Sequence, residues 1–395
     1  MTVYPIVRWD EAGETHIARW RSEAVVAPPQ RAMVVDDSIN ADAAYRLACE
    51  GTALMWRGDF QNARQILNAL ARRTDLKAVK AQKAAKATKA HAEAPLALMN
   101  AAFNHHRLAQ AQRARILGML LIPLDGDYGI PLRRAPDLRT ACAEAYGPAD
   151  DLPSQPSVAS LRELLGIVGA HEWRKKGVDV PALGARIHPH YGVFAPVRGE
   201  YVDLVAEAPL PAIIKSHSMA FDIGTGTGVL AAVLAKRGVA RIVATDQDAR
   251  ALVCARENLS RLGLTTQVDV VQADLFPPGR APLIVCNPPW IPARPSAPIE
   301  YAIYDPGSRM LRGFIAGLAA HLAPDGEAWL VLSDIAEYLG LRSRAELLEI
   351  FGAGGVKVVA RSDVRPQHPR VADTSDPLHA ARAAEVTSLW RLALA

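Results

Sequence analysis

Hydrophobic positions follow two different patterns on either side of about residue 186. Before that point, apolar residues recur mainly at the three- and four-residue spacing of helices. After it, short apolar runs that end in an acid, an asparagine or a glycine alternate with helical segments, as in parallel strands joined by helices. The pattern predicts an α/β chain, in which a doubly wound sheet follows a mainly helical N-terminal domain.

Three stretches of the N-terminal half have helical spacing. The first covers residues 40–73 and includes Leu54 and Met55 among its apolar positions. Gly58-Asp59 interrupts this stretch like a turn, so we expect a helical hairpin. Residues 95–120 and 158–176 are expected to form further helices.

A segment rich in lysine and alanine separates these helices. Its lysines follow a strict spacing of three residues: Lys77, Lys80, Lys83, Lys86 and Lys89. On a helix this spacing spreads the charges over about 240° of the surface, which leaves no apolar face for docking. A solvated helix or flexible linker is one interpretation. A nucleic-acid contact is the other, because lysines neutralise phosphates and residues 72–115 carry ten Lys/Arg and two acids, a net charge of 10 − 2 = +8.

These changes of pattern divide the chain into four predicted parts. Residues 1–75 are a helical N-terminal region, and residues 76–94 are the Lys/Ala-rich helix or linker. Residues 95–185 are a mainly helical second part of the N-terminal domain. The strand-and-helix region, residues 186–395, is the fourth part.

Composition excludes several classes of protein. The chain has 395 residues, of which half are hydrophobic, but it has no apolar run long enough to span a membrane. Asp10 and Glu11 near the N-terminus argue against a secretory signal. The four cysteines lie far apart without a CxxC pair, so we expect neither a metal site nor disulfides, and we expect a cytoplasmic location. The net charge of +4 does not by itself require a nucleic-acid partner.

Polar residues follow the predicted strands of the C-terminal half. The expected strands are Met219–Ile223, Arg241–Thr245, Thr266–Gln272, Leu283–Cys286 and Glu327–Leu332, with helices over 229–237, 249–262 and 309–321. In such sheets, ligands bind beyond the carboxyl ends of the strands. A glycine loop, two aspartates and Asn287 all fall at these ends, so we expect them to form one site.

The glycine loop has the sequence Asp222-Ile223-Gly224-Thr225-Gly226-Thr227-Gly228. Its glycines allow a tight turn and a close approach of the backbone to a ligand. Asp246 lies where it can accept hydrogen bonds from ribose hydroxyls, and Asp274 ends the neighbouring strand, where an adenine amino group is a suitable partner. A dehydrogenase that binds NAD also needs glycines and a later acid. However, the spacing here is GxGxG rather than GxGxxG, and a dehydrogenase gives Asn287–Trp290 no task.

Four features together resemble motifs of class I S-adenosylmethionine-dependent methyltransferases: the glycine loop, Asp246, Asp274 and Asn287-Pro288-Pro289-Trp290. More narrowly, they resemble the methyltransferase small domain group, which includes N5-glutamine methyltransferases of release factors and ribosomal proteins and several rRNA N-methyltransferases. The resemblance covers roughly residues 186–395. It implies a Rossmann-like, seven-stranded sheet with an antiparallel last strand, in which Lys357–Arg361 and Val386–Leu394 form the final hairpin.

The resemblance also implies roles for single residues. Gly224, Gly226 and Gly228 are expected to line the methionine end of the cofactor, and Asp246 to bind its ribose. Asp222 and Thr225 are also expected to take part in cofactor binding. Tyr191–Tyr201 resembles the segment that precedes the first strand of glutamine methyltransferases, although Ala195 and Val197 depart from the usual IPRPxTE pattern. Phe194 and Pro196 are expected to cover the cofactor. Arg198 and Glu200 either take part in this or form an ordinary surface pair.

The Asn287–Trp290 turn suits methyl transfer to a planar nitrogen. An amide or aryl amine delocalises its nitrogen lone pair, and two hydrogen-bond acceptors aimed at the NH2 group favour an sp3-like nitrogen. The Asn287 side-chain oxygen and the Pro288 carbonyl are the expected acceptors, and the two prolines fix the backbone. Trp290, in place of the commoner Tyr or Phe, is expected to stack on the flat substrate group. Tyr301, Tyr304 and Asp305 follow in a loop, where we expect substrate contacts.

The sequence therefore predicts an N-methyltransferase that uses S-adenosylmethionine. The first expectation for its acceptor is a protein glutamine amide in a translation factor or ribosomal protein. An exocyclic amine of RNA or DNA is the alternative, and Lys77–Lys89 would then contact the nucleic acid. A small-metabolite methyltransferase and a non-catalytic cofactor-binding interaction module also remain open.

Overall fold

The computed structural model describes residues 4–88, 95–149, 156–295, 298–366, 373 and 376–395. The chain forms two compact units. The first unit comprises Met1–Glu93 and Asn104–Glu172, and the second comprises Ala94–Phe103 and Trp173–Ala395. The four-part division expected from the sequence stays a prediction.

The first unit contains a closed six-stranded barrel with helices around it. Its strands are β1 (Ile6–Glu11), β2 (Glu14–Arg21), β3 (Arg31–Val35), β4 (Thr52–Trp56), β5 (Leu120–Leu124) and β6 (Ser157–Ser160), arranged in the order β1-β2-β6-β5-β4-β3. Its helices are α1 (Ala41–Cys49), α2 (Phe60–Thr88), α3 (Pro95–Leu117), α4 (Arg139–Tyr146) and α5 (Leu161–Lys176). The division between the two units falls inside α3 and α5.

Each stretch expected to be helical contains a helix, but the expected helical hairpin over residues 40–73 is wrong, because β4 lies between α1 and α2, and the strands were not predicted. Leu54 and Met55 belong to β4 rather than to a helix, and Gly58-Asp59 precedes α2 instead of joining two helices. Leu54 packs in one hydrophobic cluster and Met55 in another, because β4 is buried on both faces. A strand that is apolar on both faces shows no alternation, so its pattern cannot be distinguished from that of a buried helix.

The Lys/Ala-rich segment begins inside α2, which continues to Thr88. The backbone of most of this segment is therefore helical. The side chains of residues 77–96 lie outside the part of the chain that can be described, so the expected nucleic-acid contact of Lys77–Lys89 stays a prediction. None of the described helices is long and apolar enough to cross a membrane.

The second unit is built on a seven-stranded sheet. Its strands are β9 (Met219–Ile223), β10 (Arg241–Asp246), β11 (Val268–Gln272), β12 (Ala281–Cys286), β13 (Leu322–Ser333), β14 (Val356–Val364) and β15 (Thr387–Leu394), after a small antiparallel pair of β7 (Val178–Val180) and β8 (Ala185–Ile187). The order across the sheet is β11-β10-β9-β12-β13-β15-β14, and β15 is antiparallel to both of its neighbours. This architecture confirms the sheet expected for residues 186–395.

Seven helices accompany these strands in the second unit's described residues. They are α6 (Glu200–Glu207), α7 (Val229–Lys236), α8 (Ala249–Arg261), α9 (Arg309–His321), α10 (Ile335–Tyr338), α11 (Arg344–Ala353) and α12 (His379–Ala384). Ala220 and Leu283 belong to a first hydrophobic cluster with α6, α7 and α8, whereas Phe221 and Ile284 belong to a second with α9 and α11. Successive strand residues point to opposite faces, so the sheet is buried on both sides.

The register of the central strands brings the expected site residues together. Asp222 of β9 pairs with Ala244 of β10, and Ile223 of β9 pairs with Cys286 of β12. Because the three strands are parallel and end at nearly the same level, Gly224, Asp246 and Asn287 lie at one edge of the sheet.

Candidate active site

A cavity of about 630 Å³ lies at the carboxyl ends of β9, β10 and β12. Its lining includes most of the residues expected from the sequence, namely Phe194, Asp222, Gly224, Thr225, Gly226, Asp246, Asp274, Asn287, Pro288, Pro289, Trp290 and Tyr301. Four expected site residues lie outside the lining, namely Pro196, Gly228, Tyr304 and Asp305. A single cavity therefore combines the glycine loop and the Asn287 turn.

Hydrogen bonds to the Asp222 side chain hold the glycine loop in place. Its carboxylate accepts hydrogen bonds from the Thr225 hydroxyl at 2.6 Å and from the Ala231 backbone N–H at 3.0 Å, which ties the loop to the start of α7. Burial raises the pKa of Asp222 to about 6, although both hydrogen bonds favour the ionised form. Gly228 helps to support the loop, because it directly precedes α7 and has φ +82°, in the left-handed region.

Asp246 joins the glycine loop to the end of β10. One of its carboxylate oxygens accepts from the Gly226 N–H at 3.0 Å, and the other accepts from the Asp248 N–H at 3.0 Å. Burial raises the pKa of Asp246. A Cβ atom added to Gly226 would meet no other atom within 4 Å, so this glycine leaves open space beside the carboxylate.

The end of β11 lies against α9. Arg309 donates to the Asp274 carboxylate at 3.0 Å, and both side chains are largely exposed. The next residue, Leu275, has φ +75°, and its carbonyl accepts from the Thr245 hydroxyl at 2.6 Å. A Cβ on Gly313 of α9 would lie 2.7 Å from the Leu275 side chain, so a larger residue there would require the end of that side chain to move.

The Asn287 turn follows β12, every residue of which is buried. The Trp290 indole N–H donates to the Asn287 side-chain oxygen at 2.9 Å, so the first and last residues of the turn are joined directly. Trp290 also packs against three hydrophobic clusters: the two that flank the sheet, and a third that contains Phe103 and Ile335. The Arg198 guanidinium carbon lies 5.5 Å from the centre of the Trp290 ring.

The loop after the turn folds back upon it. The Ile291 N–H donates to the Ile303 carbonyl, and the Asp305 N–H donates to the Ile291 carbonyl. The buried Asp305 carboxylate accepts from the backbone N–H groups of Met310 and Leu311 at 3.0 and 3.2 Å. These bonds make Asp305 a support of the first turn of α9. Tyr304 packs beside Ile335 in the third cluster, whereas Tyr301 lines the cavity.

The segment before α6 forms another wall of the cavity. Phe194, Val197 and Arg198 lie in the lining. His190 pairs with Glu257 at 2.8 Å and holds the start of this segment against α8. Arg198 and Glu200 are not an ordinary surface pair, since their side chains are only 25% and 12% exposed.

The sequence patterns did not predict that the connection between β14 and β15 contributes to the cavity. Arg382 and Glu385, which lie between β14 and β15, line the cavity. Glu385 is buried, and its carboxylate accepts from the Ser333 hydroxyl at 2.7 Å and from Arg198 at 3.2 Å. No local motif marks these residues. A hint was available in Glu385 itself, a charged residue placed two positions before a largely buried strand.

The described residues contain no group of three or more His, Cys, Asp or Glu side chains that could hold a metal ion. The polar groups of the cavity instead include carboxylates, two amides, hydroxyls, arginines and backbone N–H groups. This set suits an organic ligand with hydroxyl and amino donors.

The strand order, the antiparallel last strand and the glycine loop after β9 define the fold of class I methyltransferases. Residues 184–363 match the family model described as the methyltransferase small domain. This part of the chain, residues 184–363, is therefore similar to methyltransferase small domains.

Several curated relatives are similar to this part of the chain. A release factor glutamine methyltransferase of Cereibacter sphaeroides is 33% identical over 168 residues, which are 39% of this chain and 59% of that relative. One of Moorella thermoacetica is 39% identical over 106 residues, 25% of this chain and 37% of the relative. A ribosomal protein L11 methyltransferase of Geobacter metallireducens is 32% identical over 166 residues, 37% of this chain and 52% of the relative.

The matches therefore span less than two thirds of these relatives' own lengths. A solved structure of the ribosomal protein L11 methylase of Lactobacillus delbrueckii subsp. bulgaricus has a TM-score of 0.35 and 19% identity, covering 53% of this chain and 84% of that one.

Proposed function

We propose that the protein transfers a methyl group from S-adenosylmethionine to a planar nitrogen. The observation that carries this proposal is the shared cavity of the Gly224–Gly226 loop, Asp246 and the Asn287–Trp290 turn. A cofactor loop and a nitrogen-binding turn that face the same space can hold a donor and an acceptor in line. Such positioning supplies a large part of the rate of a displacement reaction.

The cofactor would bind along the ends of β9, β10 and β11. Asp246 would accept hydrogen bonds from the ribose hydroxyls, and the space left by Gly226 would admit the ligand beside it. Phe194 and Leu275 supply apolar lining, and Asp274 would accept from the adenine amino group. When bound, S-adenosylmethionine supplies a methyl group that is already activated by a positively charged sulfur.

The Asn287 turn would hold the acceptor nitrogen. The Asn287 oxygen and the Pro288 carbonyl would accept hydrogen bonds from its NH2 group. These bonds oppose delocalisation of the nitrogen lone pair and aim it at the methyl group. Two acceptors held in advance by the turn would cost little reorganisation during the reaction.

The acceptor that we propose is a glutamine side-chain amide of a protein used in translation. The names of the relatives, release factor glutamine methyltransferase and ribosomal protein L11 methyltransferase, support this class. Exposed apolar side chains in the lining offer a surface for a polypeptide, since Tyr301, Val197 and Ile303 are 61%, 50% and 42% exposed. Translation takes place in the cytoplasm, so the proposed acceptor places the protein there.

The test is an incubation of purified protein with methyl-labelled S-adenosylmethionine and a lysate from cells that lack it. Protein, nucleic acid and small molecules are then separated. We expect the label in protein, on glutamine after digestion. Label confined to nucleic acid would reject the glutamine acceptor but retain methyl transfer, and label confined to small molecules would indicate a metabolite. Absence of label in every fraction would favour a non-catalytic module.

An exocyclic amine of RNA or DNA is a second candidate acceptor. The observation that favours it is the net charge of 10 − 2 = +8 over residues 72–115. A nucleic-acid enzyme would bind RNA or DNA with an affinity that falls steeply as salt rises. Replacing Lys77, Lys80, Lys83, Lys86 and Lys89 with Gln keeps helix propensity and removes five charges, so binding and its salt dependence should both decrease. Unchanged binding would exclude a contact by these lysines.

A further inference from the structure

We propose that Trp290 is a positioning residue, whose indole N–H orients the Asn287 side chain for the acceptor nitrogen. The proposal rests on the proposed methyl transfer and concerns how the turn performs it. It differs from the stacking role expected from the sequence. The contact that motivates it is the 2.9 Å hydrogen bond between the two side chains.

The donor chemistry of the indole determines which way the Asn287 amide faces. An indole N–H can only donate, whereas an amide offers an oxygen that accepts and an NH2 group that donates. The group facing Trp290 must therefore be the amide oxygen. If the amide turned over, its NH2 group would meet the indole N–H and both donors would lose a partner. The flipped amide would therefore lose the hydrogen bond that now joins these two partly buried side chains.

Packing holds the indole where this bond requires it. Trp290 contacts three separate hydrophobic clusters, and a half-buried ring with contacts on several sides has little freedom to rotate. Arg198 lies over the ring at 5.5 Å and is itself tied to the buried Glu385. Much of the Trp290 ring is thus in contact with the protein itself, which favours a positioning role over stacking on the substrate.

The orientation has a direct chemical consequence. A carbonyl oxygen has two lone pairs, so the Asn287 oxygen can accept from Trp290 and still accept from an acceptor NH2 group. Phenylalanine at position 290 has no donor, and a tyrosine hydroxyl can accept as well as donate and therefore does not enforce one amide orientation. The tryptophan is thus a functional feature of this turn.

The first experiment observes the hydrogen bond directly, without an acceptor. In protein labelled with 15N-tryptophan, the Trp290 indole signal is the one that Trp290→Phe removes. We expect Asn287→Ala to shift this signal upfield and to speed its exchange with solvent. The Trp329 indole, which donates to Glu327 at 2.9 Å, provides an internal reference that should not move. An unmoved Trp290 signal would overturn the proposal.

The second experiment separates orientation from stacking. Purified release factor serves as acceptor with labelled S-adenosylmethionine, and two changes are made at position 290: Trp290→Phe, and a tryptophan isostere that carries sulfur in place of the N–H group. Both keep an aromatic surface and lose the donor. We expect kcat to fall about tenfold in both, as for loss of one hydrogen bond, with acceptor KM and cofactor affinity nearly unchanged.

A stacking role gives the opposite result, because the isostere would then retain full kcat, and that result would reject the proposal. A double-mutant cycle adds a further check. In the Asn287→Ala background, Trp290→Phe should have almost no further effect on kcat, since nothing remains to orient. Equal effects of Trp290→Phe in both backgrounds would contradict the proposal. Failure of all methyl transfer by the wild type would instead reject the proposed function, while the indole signal still reports on the hydrogen bond.

Discussion

Asp222 illustrates how a single residue supports the cavity. Its carboxylate lies beneath the glycine loop at 1% exposure and joins Thr225 to Ala231. Burial disfavours the charged form, and the two hydrogen bonds only partly offset this, so the pKa rises to about 6. The protonated form is therefore favoured in the folded protein relative to the unfolded chain.

This shift predicts a specific pH dependence of stability. The pKa of Asp222 is higher in the folded protein than in the unfolded chain. Its contribution to the free energy of unfolding is therefore fully present below about pH 4 and is lost as pH rises through about 6. Relative to Asp222→Asn, the wild type should lose on the order of 3 kcal/mol of unfolding free energy between pH 4 and 7.5. Urea unfolding of both proteins at the two pH values measures this. A difference that does not change with pH would disprove the shifted pKa.

The sequence indicated most of the lining residues, but not every contact that their side chains make. Gly224, Asp246 and Asn287 were expected together because each follows a parallel strand, and strand ends meet at one edge of a sheet. The bond from Trp290 to Asn287 could not be foreseen, since it depends on the rotamer of a tryptophan that three clusters hold in place.

Individual elements depend on contacts that arise outside them. Helix α9 contributes Arg309, Met310 and Gly313 to the lining. Its first turn is held by Asp305, which lies before the helix and accepts from two of its N–H groups. The sequence suggested a substrate contact for Asp305 because of its loop position, and that contact stays a prediction beside the two hydrogen bonds that its carboxylate accepts from the helix.

Removing this support should destabilise the helix. We expect Asp305→Ala to lower the unfolding free energy by about 1–2 kcal/mol, as for other lost helix caps, because two N–H groups lose their acceptor. Asp305→Asn, which keeps one acceptor oxygen, should cost less. Urea unfolding of the three proteins at pH 7 tests this order. Equal stability of all three, with a loss only of acceptor binding, would instead favour the substrate contact.

The elements that the sequence predicted well are those with a distinctive environment. Strands such as β9 and β12 are short apolar runs followed by glycine or asparagine, and the helices between them end at clear stop signals. The barrel strands lack such marks. Strand β4 is apolar on both faces, and β5, also buried throughout, directly follows a helix, so both merge with neighbouring helical patterns.

At the scale of the whole molecule, distant parts of the chain build one unit. Residues 94–103 are grouped with residues 173–395, and Phe103 is buried in the cluster of Ile335, Leu339, Leu378 and Ala381. That cluster also packs against Trp290. No local pattern could indicate this contribution, because it joins residues more than 200 positions apart in the sequence.

Phe103 should therefore be important for the stability of the second unit. We expect Phe103→Ala to lower its unfolding free energy by about 3–5 kcal/mol, because a large buried ring is lost and a cavity remains. Leu108 lies on the same helix and is 67% exposed, so Leu108→Ala provides a matched control with a change within about 0.5 kcal/mol. Hydrogen exchange of β13 measures the stability locally. Equal protection in both variants would show that residues 94–103 do not support this unit.

The proposed function requires that the cavity transfers methyl groups and that Asn287 acts on the acceptor rather than on the cofactor. Its most direct test measures S-adenosylmethionine binding and methyl incorporation for wild type and Asn287→Ala, with Asn62→Ala of the first unit as a control of the same residue type. We expect all three proteins to bind the cofactor with similar Kd. Incorporation should fall at least about 100-fold in Asn287→Ala alone, as for loss of a transition-state hydrogen bond. Wild-type incorporation by Asn287→Ala, or no cofactor binding by the wild type, would contradict the account.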